Sequence, residues 1–423
     1  MSTIGQIEKK TQQRVVRLFR EALDYDYLGD WTDREGNRNI DEELVRKFLR
    51  EKQGCDEDLI TRALRQLDKT AGDVSRSLYD RNCAVYDLLR YGVKVKPGVG
   101  ENTVDVWLID WERPERNHFA IAEEVTVAAA DAKAYGKRPD VVLYVNGIAL
   151  GVLELKRSTI SVGEGIRQNL DNQKKVFIEP FFSTMQWVMA GNDTEGLHYG
   201  TIQTPEKQYL SWKEENPAWK PGDPTDGKYL GAADYPTLSS PLDMALVQLC
   251  KKTRFLELLH DFIVFDAGTK KLCRHNQFFG VRASQARVKR REGGIIWHTQ
   301  GSGKSLTMVW LTKWIRESVT DARVLLITDR TELDEQIEKV FKGVNEDIYR
   351  TKSGADLIAK LNGTSPWLIC SLIHKFGGKE DGEEVGDIAA YIEEVKKALP
   401  PGFAAKGNLF VSWTSAIARS RAN

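Results

Sequence analysis

The 423-residue sequence predicts an α/β protein with two successive domains. Three observations support this prediction. Apolar residues recur at helical spacing through about residue 89, and from Gly92 the pattern changes to the two-residue period of strands. Near residue 300 a glycine-rich loop stands between an apolar strand and an apolar helix, which is typical of a parallel α/β sheet. We place the boundary near residue 240, which gives domains of residues 1–240 and 241–423.

The amino-terminal part is predicted to be mostly helical. Residues 5–24 carry an apolar stripe at helical spacing, and Asp41 is predicted to N-cap the next helix because its carboxylate can accept from free backbone N–H groups. Further helices are predicted over residues 56–67 and 70–89. Strands are then predicted over residues 93–95, 104–111 and 119–126. With the hairpin that follows, these strands predict a mostly antiparallel sheet.

The stretch RPDVVLYVNGIALGVLELK, residues 138–156, predicts two strands joined by a tight turn. Asn146-Gly147 is a strong hairpin signal because both positions tolerate positive φ. Asp140 begins the first strand, while Glu154 and Lys156 lie two residues apart on the second, so that both point to one face. We therefore expect the hairpin to bring these three side chains together at one end.

Two carboxylates and a lysine suit phosphodiester hydrolysis. Asp140 and Glu154 supply the hard oxygen ligands that Mg²⁺ prefers. Bound Mg²⁺ lowers the pKa of a water molecule and offsets charge on the phosphate, and Lys156 can orient that water or stabilise the oxyanion. The alternative is an edge hairpin with a solvated Glu and Lys. We favour the catalytic interpretation because the charged groups end two strongly apolar strands.

This pattern resembles the PD-(D/E)xK nuclease core. The wider text, from R-P-D-V-V-L-Y-V-N-G through L-E-L-K, is similar to the nuclease domain of type I restriction enzyme R subunits, which combine a motor with an endonuclease. The resemblance implies a Q-x-x-x-Y motif on the helix predicted over about residues 163–177. Gln168 matches the glutamine and is a candidate catalytic residue, whereas Asn172 stands where the tyrosine is expected.

A second motif, H-T-Q-G-S-G-K-S, covers residues 298–305. It follows a short strand predicted at Ile295-Ile296 and precedes a helix predicted from Leu306. Backbone N–H groups of such a loop bind phosphates, and the helix dipole favours their negative charge. Lys304 is predicted to reach the β- and γ-phosphates of ATP and Ser305 to hold Mg²⁺. The residues assigned to nucleotide binding in this loop are Thr299, Gln300, Gly301, Ser302, Gly303, Lys304 and Ser305. The alternative is a chance glycine-rich turn.

Two flanking segments resemble motifs of superfamily 2 motors. Upstream, Gln277 resembles the glutamine that reads adenine, since an amide can donate and accept at once; an ordinary surface glutamine is the alternative. Downstream, residues 324–337 predict a buried parallel strand that ends at Asp329-Arg330, similar to motif Ia, followed by a helix. A third strand is predicted over residues 367–371, and residues 371–376 resemble motif Ib.

Together these motifs resemble the type I restriction R subunit over residues 5–411. The resemblance implies a restriction-endonuclease-like, PD-(D/E)xK domain in residues 1–240 and an incomplete RecA-like lobe with a parallel sheet in residues 241–423. It also implies ATP-driven translocation and Mg²⁺-dependent cleavage of double-stranded DNA, in complex with methyltransferase and specificity subunits. Two alternatives remain. One is a truncated, non-catalytic remnant that binds DNA or partner subunits, and the other is a P-loop ATPase unrelated to nucleic acid, which the hairpin and motif Ia disfavour.

The end of the sequence departs from the motor pattern. Residues 408–411 predict the strand that leads into a D-E-x-H box, which supplies Mg²⁺-shell and water-activating carboxylates, yet residues 412–423 contain no acidic residue. The codons of Trp413-Thr414 force an Asp in an overlapping frame, and the codons that follow permit Glu-Cys-His. We therefore hypothesise a one-base frameshift near residue 412. The alternative is a true, unrelated carboxyl terminus.

Composition limits the class of protein without identifying it. Charged residues make up 29% and hydrophobic residues 41%, with 61 basic and 61 acidic side chains, so global charge does not indicate a nucleic-acid partner. The five cysteines form no C-x-x-C pair, which favours reduced thiols in a cytoplasmic protein. The amino terminus lacks an apolar signal core, and no stretch is apolar enough to predict a membrane span.

Overall fold

A computed structural model describes residues 3–98, 100–214, 240–328, 331–372, 399, 401, 403 and 405–414. The chain divides into two compact units, Met1–Arg274 and His275–Asn423. Both units combine helices with sheets that contain parallel strands, so the predicted α/β class is confirmed. None of the helices in the described part of the chain has the length and apolar character that crossing a membrane requires.

The first unit surrounds one large mixed sheet. Its described helices are α1 Thr3–Glu21, α2 Glu42–Glu51, α3 Glu57–Ala71, α4 Leu78–Tyr91, α5 Val162–Asn172, α6 Pro241–Cys250 and α7 Lys252–Asp261. Its described strands are β1 Asp26–Asp30, β2 Val93–Val95, β3 Val104–Val106, β4 Phe119–Glu123, β5 Val141–Val145, β6 Ile148–Leu155, β7 Trp187–Asn192, β8 Gly196–Gly200, β9 Leu210–Ser211, β10 Ile263–Asp266 and β11 Thr269–Leu272. Short 3-10 helices cover Pro114–Arg116, Glu179–Ser183 and Glu206–Gln208.

Seven of the described strands form the main sheet, in the order β1-β4-β5-β6-β7-β8-β9. The pairs β1–β4 and β6–β7 are parallel and the other four pairs are antiparallel, which confirms the predicted mostly antiparallel sheet. Its core packs buried side chains from the central strands against the covering segments, among them Val142, Tyr144, Val152, Phe182 and Val188. Strands β5 and β6 are buried on both faces, which explains why all their residues except Glu154 and Gly151 carry apolar side chains or an aromatic ring.

The predicted hairpin is confirmed in β5 and β6. Asn146 and Gly147 have φ values of +51° and +85°, as a two-residue turn between right-twisted strands requires. The turn is buried, and the polar groups of the Asn146 side chain are satisfied there. Its amide donates to the Leu108 carbonyl and accepts from the His118 N–H. The ladder slips by one residue between Leu143 and Tyr144, where β6 contains an extra residue, Leu150.

Several predicted element boundaries change in the structure. The strand predicted over residues 104–111 ends at Val106 and pairs only with β2, because the Asn117 amide takes the backbone N–H and C=O of Asp110 that a strand partner would use. The helix predicted over residues 70–89 begins at Leu78, where Ser77 is the N-cap. The helix predicted over residues 163–177 ends at Asn172. The predicted N-cap at Asp41 is confirmed by a 3.2 Å bond from the Leu44 N–H.

The compact units divide later than the predicted boundary near residue 240. Residues 241–274 fold with the first unit. Buried hydroxyls of tyrosines earlier in the chain donate hydrogen bonds to the backbone carbonyls of this segment. Tyr25 donates to Cys250, Tyr86 to Leu259 and Tyr199 to Cys273. The sequence predicted helices over residues 242–264 and they form, but the β10–β11 hairpin was not predicted.

The second unit contains a parallel sheet. Its described helices are α8 His275–Lys289, α9 Lys304–Ser318, α10 Thr331–Gly343 and α11 Gly354–Asn362. Its described strands are β12 Ala322–Thr328, β13 Tyr349–Arg350, β14 Leu368–Leu372 and β15 Asn408–Thr414. The order is β13-β14-β12-β15, and every described pair is parallel. The strands predicted from residues 324, 367 and 408 are therefore confirmed.

The strand predicted at Ile295-Ile296 does not form. Residues 294–299 are irregular, and Ile295 and Trp297 are 92% and 78% exposed. The segment faces β15 across a cavity of about 630 Å³ and makes no ladder hydrogen bonds with it. The apolar sequence of this segment predicted a buried strand. Such a strand would have to pair with the free edge of β15, the edge opposite β12, and that edge is unpaired within the described residues.

Candidate functional site

The end of the β5–β6 hairpin opposite its turn brings Asp140, Glu154 and Lys156 together. Val141 pairs with Leu153, so one further step of the antiparallel ladder places Asp140 opposite Glu154. The Asp140 carboxylate accepts a 2.7 Å bond from the Leu155 N–H, which ties the beginning of β5 to the end of β6. Lys156 follows β6, and its ammonium group lies 3.1 Å from the Leu155 carbonyl oxygen.

Helix α5 covers this strand end and supplies two amides to Glu154. Gln168 donates to Glu154 Oε2 at 2.7 Å, and Asn172 donates to Glu154 Oε1 at 3.3 Å. The close approach depends on Gly165, where a Cβ would lie 3.1 Å from the Ala190 Cβ and 3.6 Å from the Glu154 Cβ. The sequence singled out Gln168, whereas the contact of Asn172 with the same carboxylate emerges from the structure.

Burial shifts the titration of both carboxyl groups. Glu154 is fully buried, and its burial, followed by the negative charge of Asp140, raises its pKa well above the ordinary value. Burial also raises the pKa of Asp140, and the charge of Lys156 and the Leu155 N–H oppose part of that rise. Two neighbouring carboxylates with raised pKa values form a site that favours positive charge.

A further carboxylate, Glu124, was not recognised from the sequence. It follows β4 in the left-handed region at φ +52°, and its N–H donates to the Asp140 carbonyl at 2.9 Å. Its negative charge adds to the rise in pKa of both Asp140 and Glu154. Arg138 lies 2.7 Å from the Glu124 carboxylate. The available signal was a charged residue directly after a buried apolar strand, the same signal that marks Asp140.

The donor set fits Mg²⁺. No group of three or more His, Cys, Asp or Glu side chains is arranged as a metal site in the described ranges. Mg²⁺, however, keeps several waters and is held by one or two carboxylates, which Asp140 and Glu154 provide. The repulsion that raises the Glu154 pKa is the interaction that a divalent cation would relieve. These two residues are therefore the ones that would hold it.

An open cleft of about 630 Å³ lies beside the carboxylate pair. Its lining residues are Lys156, Glu164, Arg167, Gln168, Leu170, Asp171 and Lys174. Arg167 is paired with Glu164 and Glu206, and Lys174 is paired with Asp171, so part of the positive charge of this rim is already neutralised. The cleft gives a polar ligand access to Lys156 and Gln168.

The predicted phosphate-binding loop precedes α9 in the second unit. Gly301 and Gly303 have φ values of +80° and +84°, and Gly303 is the N-cap residue of α9. Ser302 closes the loop by donating from its N–H and its hydroxyl to the Thr299 carbonyl, at 3.3 and 2.7 Å. Lys304 and Ser305 occupy the first turn of the helix, where free N–H groups and the helix dipole favour an anion.

Gln277 lies against this loop. It is buried on α8, and its amide Nε2 donates to the Gly303 carbonyl at 3.0 Å. The neighbouring His298 ring lies 3.2 Å from the Asn276 carbonyl oxygen. The sequence placed Gln277 near an adenine, and the structure places its amide on the loop itself. The motif Ia residues Asp329 and Arg330, and residues 373–376 of motif Ib, lie outside the described residues.

Two family models match the sequence. The model described as type I restriction enzyme R protein N terminus matches residues 5–207, and the SWI2/SNF2 ATPase model matches residues 276–399. Over these residues the chain is similar to the type I restriction enzyme R proteins. The predicted resemblance is thereby confirmed. The R-protein match contains the whole Asp140–Glu154–Lys156 site, and the ATPase match contains both Gln277 and the phosphate-binding loop.

Curated relatives of the chain carry the same family name. A Methanocaldococcus jannaschii protein named as the MjaIXP type I restriction enzyme endonuclease subunit is 26% identical over 84% of this chain. The HindI type I restriction enzyme endonuclease subunit of Haemophilus influenzae is 26% identical over 67%, and a Staphylococcus saprophyticus type I endonuclease subunit is 25% identical over 65%. The chain spans only 35%, 27% and 28% of the length of these R-protein relatives.

Proposed function

We propose that the chain acts as the endonuclease subunit of a type I restriction-modification system and cleaves double-stranded DNA with Mg²⁺. The observation that carries the proposal is the buried Asp140–Glu154 pair, with Lys156 beside it and Gln168 bonded to Glu154. A purely structural hairpin end gains nothing from two carboxylates that repel each other in a low-dielectric site. The R-protein family match over these residues supports the same function.

Each residue has a distinct role in the proposed reaction. Asp140 and Glu154 hold Mg²⁺, which when bound supplies a water of lowered pKa and positive charge at the phosphate. Gln168 and Asn172 orient the Glu154 carboxylate from α5. Lys156 reaches the cleft and stabilises the negative charge that develops on the phosphate oxygens. The Leu155 N–H keeps Asp140 turned toward Glu154.

At the level of fold, we propose that the first unit is a PD-(D/E)xK nuclease domain and the second a RecA-like motor lobe. Support for the first is a mixed sheet whose central hairpin ends in the carboxylate pair. Support for the second is an all-parallel described sheet with a glycine-rich loop at a helix N-terminus. The ATPase family match covers that loop.

We further propose that the second unit binds ATP and Mg²⁺. The residues assigned to this site are Gln277, Thr299, Gln300, Gly301, Ser302, Gly303, Lys304 and Ser305, of which Ser305 would hold the metal. The word subunit in the relatives' names supports assembly with methyltransferase and specificity subunits, and the ATPase match supports a role in DNA translocation. Such a complex would act on DNA in the cytoplasm.

The nuclease proposal is tested by nicking of supercoiled plasmid with the whole 423-residue chain. Nicking is expected in Mg²⁺ and absent in EDTA. Asp140→Asn, Glu154→Gln and Lys156→Ala should each lower the rate at least about 100-fold, and Gln168→Ala about tenfold, within the range for loss of a catalytic group or of a residue that orients one. The controls Glu115→Gln and Lys69→Ala change exposed charges outside the site. Nicking by Glu154→Gln at the parent rate would refute the catalytic assignment and favour a non-catalytic DNA-binding remnant.

The nucleotide proposal is tested by titrating the chain with a fluorescent ATP analogue and Mg²⁺. Lys304→Ala is expected to weaken binding at least about tenfold, because a charge-assisted contact to phosphate contributes about 1.5–3 kcal/mol. Lys339→Ala is the matched control, since Lys339 is exposed on α10. Equal binding by the parent and Lys304→Ala would show that this loop does not hold the phosphates.

A further inference from the structure

Tyr209 lies next to the nuclease site but belongs to none of its motifs. It follows the 3-10 helix Glu206–Gln208 and leads into β9. Its ring packs against a cluster formed by Val162 and Ile166 of α5 and Ala190 of β7. Its hydroxyl oxygen is buried and has no hydrogen-bond partner among the described residues. A buried hydroxyl without a partner is unfavourable, because it has given up its hydrogen bonds to water, so its presence here needs an explanation.

The sheet register places Tyr209 on the same side as Glu154. Ala190 on β7 is the direct cross-strand partner of Glu154 on β6. Neighbouring residues of paired strands point to the same face of a sheet, so the Glu154 side chain and the cluster that holds the Tyr209 ring share the face covered by α5. The position of Gly165, close to both the Ala190 and the Glu154 Cβ atoms, agrees with this arrangement.

Two polar contacts fix the Tyr209 segment to α5. Arg167 on α5 pairs with Glu206 at 2.6 Å. The side-chain carbonyl of Gln173, at the end of α5, accepts a 2.6 Å bond from the Gln203 N–H. Residues 203–206 are therefore connected to the helix that carries Gln168 and Asn172, directly before Tyr209 in the chain.

The charge of Glu154 acts on the Tyr209 hydroxyl. Burial and then the charge of Glu154 raise the pKa of Tyr209, so the hydroxyl stays protonated and remains a donor. On Glu154, Oε2 receives a 2.7 Å bond from Gln168, but Oε1 receives only a 3.3 Å bond from Asn172. The Asn172 amide oxygen is itself buried without a partner among the described residues. The Tyr209 hydroxyl and the Asn172 amide oxygen are thus both buried without a partner among the described residues, on the side of the sheet that carries Glu154.

We propose that Tyr209 is a positioning residue of the nuclease site: when a divalent cation binds, the Tyr209 hydroxyl, which has no partner among the described residues of this structure, donates to the Glu154–Asn172 pair and holds the Glu154 carboxylate in the orientation that binds the cation. This inference rests on the proposed nuclease function. Asn172 donates to Glu154 only over a long distance, 3.3 Å. Tyr209, which lies 37 positions further along the chain, takes the rest of this donor role. A third donor on a metal-binding carboxylate raises metal affinity by fixing its geometry.

The test compares Tyr209→Phe with Tyr144→Phe in the whole chain. Tyr144 is a matched control, because it is also buried in the main sheet with an unpartnered hydroxyl, but the charges that act on it are Arg34 and Asp41 and not Glu154. Calorimetric titration with Ca²⁺ and Mg²⁺ measures cation affinity without requiring cleavage, and plasmid nicking is followed against Mg²⁺ concentration. Tm is recorded for each variant.

Tyr209→Phe is expected to bind both cations about tenfold more weakly and to need about tenfold more Mg²⁺ for half-maximal nicking, with an unchanged Tm. Tyr144→Phe should match the parent. In a Glu154→Gln background Tyr209→Phe should have no further effect. Parent-like cation affinity in Tyr209→Phe, or a loss of affinity that accompanies an equal fall in Tm, would overturn the proposal.

The outcome also separates this inference from the nuclease function. A parent chain that binds cations but does not nick DNA refutes the proposed cleavage, while the affinities of Tyr209→Phe and Tyr144→Phe still decide the role of Tyr209. A parent chain that binds no cation overturns both.

Discussion

The side-chain amide of Gln277 donates a 3.0 Å hydrogen bond to the backbone carbonyl of Gly303. A Cβ added at Gly303 would overlap that same amide nitrogen, and Gly303 holds a φ of +84°. The predicted phosphate-binding loop therefore depends on glycine here for two reasons, the left-handed backbone and the close approach of Gln277. The absence of a side chain at Gly303 lets Gln277 of α8 contact the loop at the N-terminus of α9.

Gly303→Ala is accordingly expected to abolish binding of the ATP analogue, because the added methyl group must displace either Gln277 or the loop. Gly268→Ala is the matched control, since Gly268 has a similar φ of +86° but no atom within 4 Å of an added Cβ. That control should lose only about 1 kcal/mol of stability. In a Gln277→Ala background the penalty of Gly303→Ala should shrink, and equal binding by Gly303→Ala and the parent would contradict the arrangement.

The carboxylate pair predicts a dependence of stability on pH in EDTA. Burial raises the Asp140 pKa from 3.8 to about 6, so the folded chain binds this proton more tightly than the unfolded chain. The stabilising contribution of this bound proton is complete below about pH 4 and is lost as the pH rises through about 6. Since Mg²⁺ competes with the proton, it should raise the free energy of unfolding more at pH 7.5 than at pH 5.

The measurement is the free energy of urea unfolding at pH 5 and pH 7.5, in EDTA and in Mg²⁺. Glu154→Gln is the control variant, because the neutral amide removes the repulsion and the second metal ligand. The difference between parent and variant isolates this site from the other carboxyl groups. A parent chain that Mg²⁺ stabilises equally at both pH values would contradict the assignment of these residues as a metal site.

A buried ion pair away from the site makes a prediction about stability alone. Arg81 on α4 pairs with Glu179 of the 3-10 helix Glu179–Ser183, and the two side chains are 1% and 8% exposed. Glu179→Gln should lower the free energy of unfolding by about 3–5 kcal/mol, because it leaves a buried guanidinium without its counter-charge. The paired variant Arg81→Met/Glu179→Leu should recover much of that loss.

The exposed pair Arg38–Asp68, 2.8 Å apart, is the comparison. Asp68→Asn is expected to change the free energy of unfolding by less than about 1 kcal/mol. Urea unfolding followed by tryptophan fluorescence measures both. Similar losses in Glu179→Gln and Asp68→Asn would show that the buried pair is better solvated than its packing indicates.

The sequence predicted best those features that are set by local chemistry. The φ preferences of Asn and Gly predict the Asn146-Gly147 turn, and the side-chain oxygen of Asp41 predicts the N-cap. Runs of apolar residues predict the buried strands β5, β6, β12 and β14. The same turn predicted that Asp140, Glu154 and Lys156 lie at one end of the hairpin, but the extra residue that sets Asp140 opposite Glu154 was not predicted. Gln168 was found only through the resemblance, because a glutamine on a helix carries no local signal.

Features that depend on distant partners were missed. Glu124 joins the site through the pairing of β4 with β5, and Tyr209 through a segment tied to α5, so neither is visible from spacing along the chain. The strand predicted at Ile295-Ile296 shows the converse error, because an apolar segment forms a strand only where an edge is available to pair with it. The true extent of the first unit likewise depended on hydroxyl contacts such as Tyr25 to Cys250.

The extra residue in β6 acts as a spacer that sets which side chains meet at the far end of the hairpin. If the ladder continued from the turn without Leu150 bulged out, Asp140 would stand opposite Leu153, and Glu154 would fall one step beyond it. The bulge moves Glu154 across from Asp140. Removing one residue from β5, such as Val142, would leave every proposed ligand in the sequence and still set Asp140 opposite Leu153. The number of residues in this hairpin therefore determines which side chains meet at its end as much as their identity does.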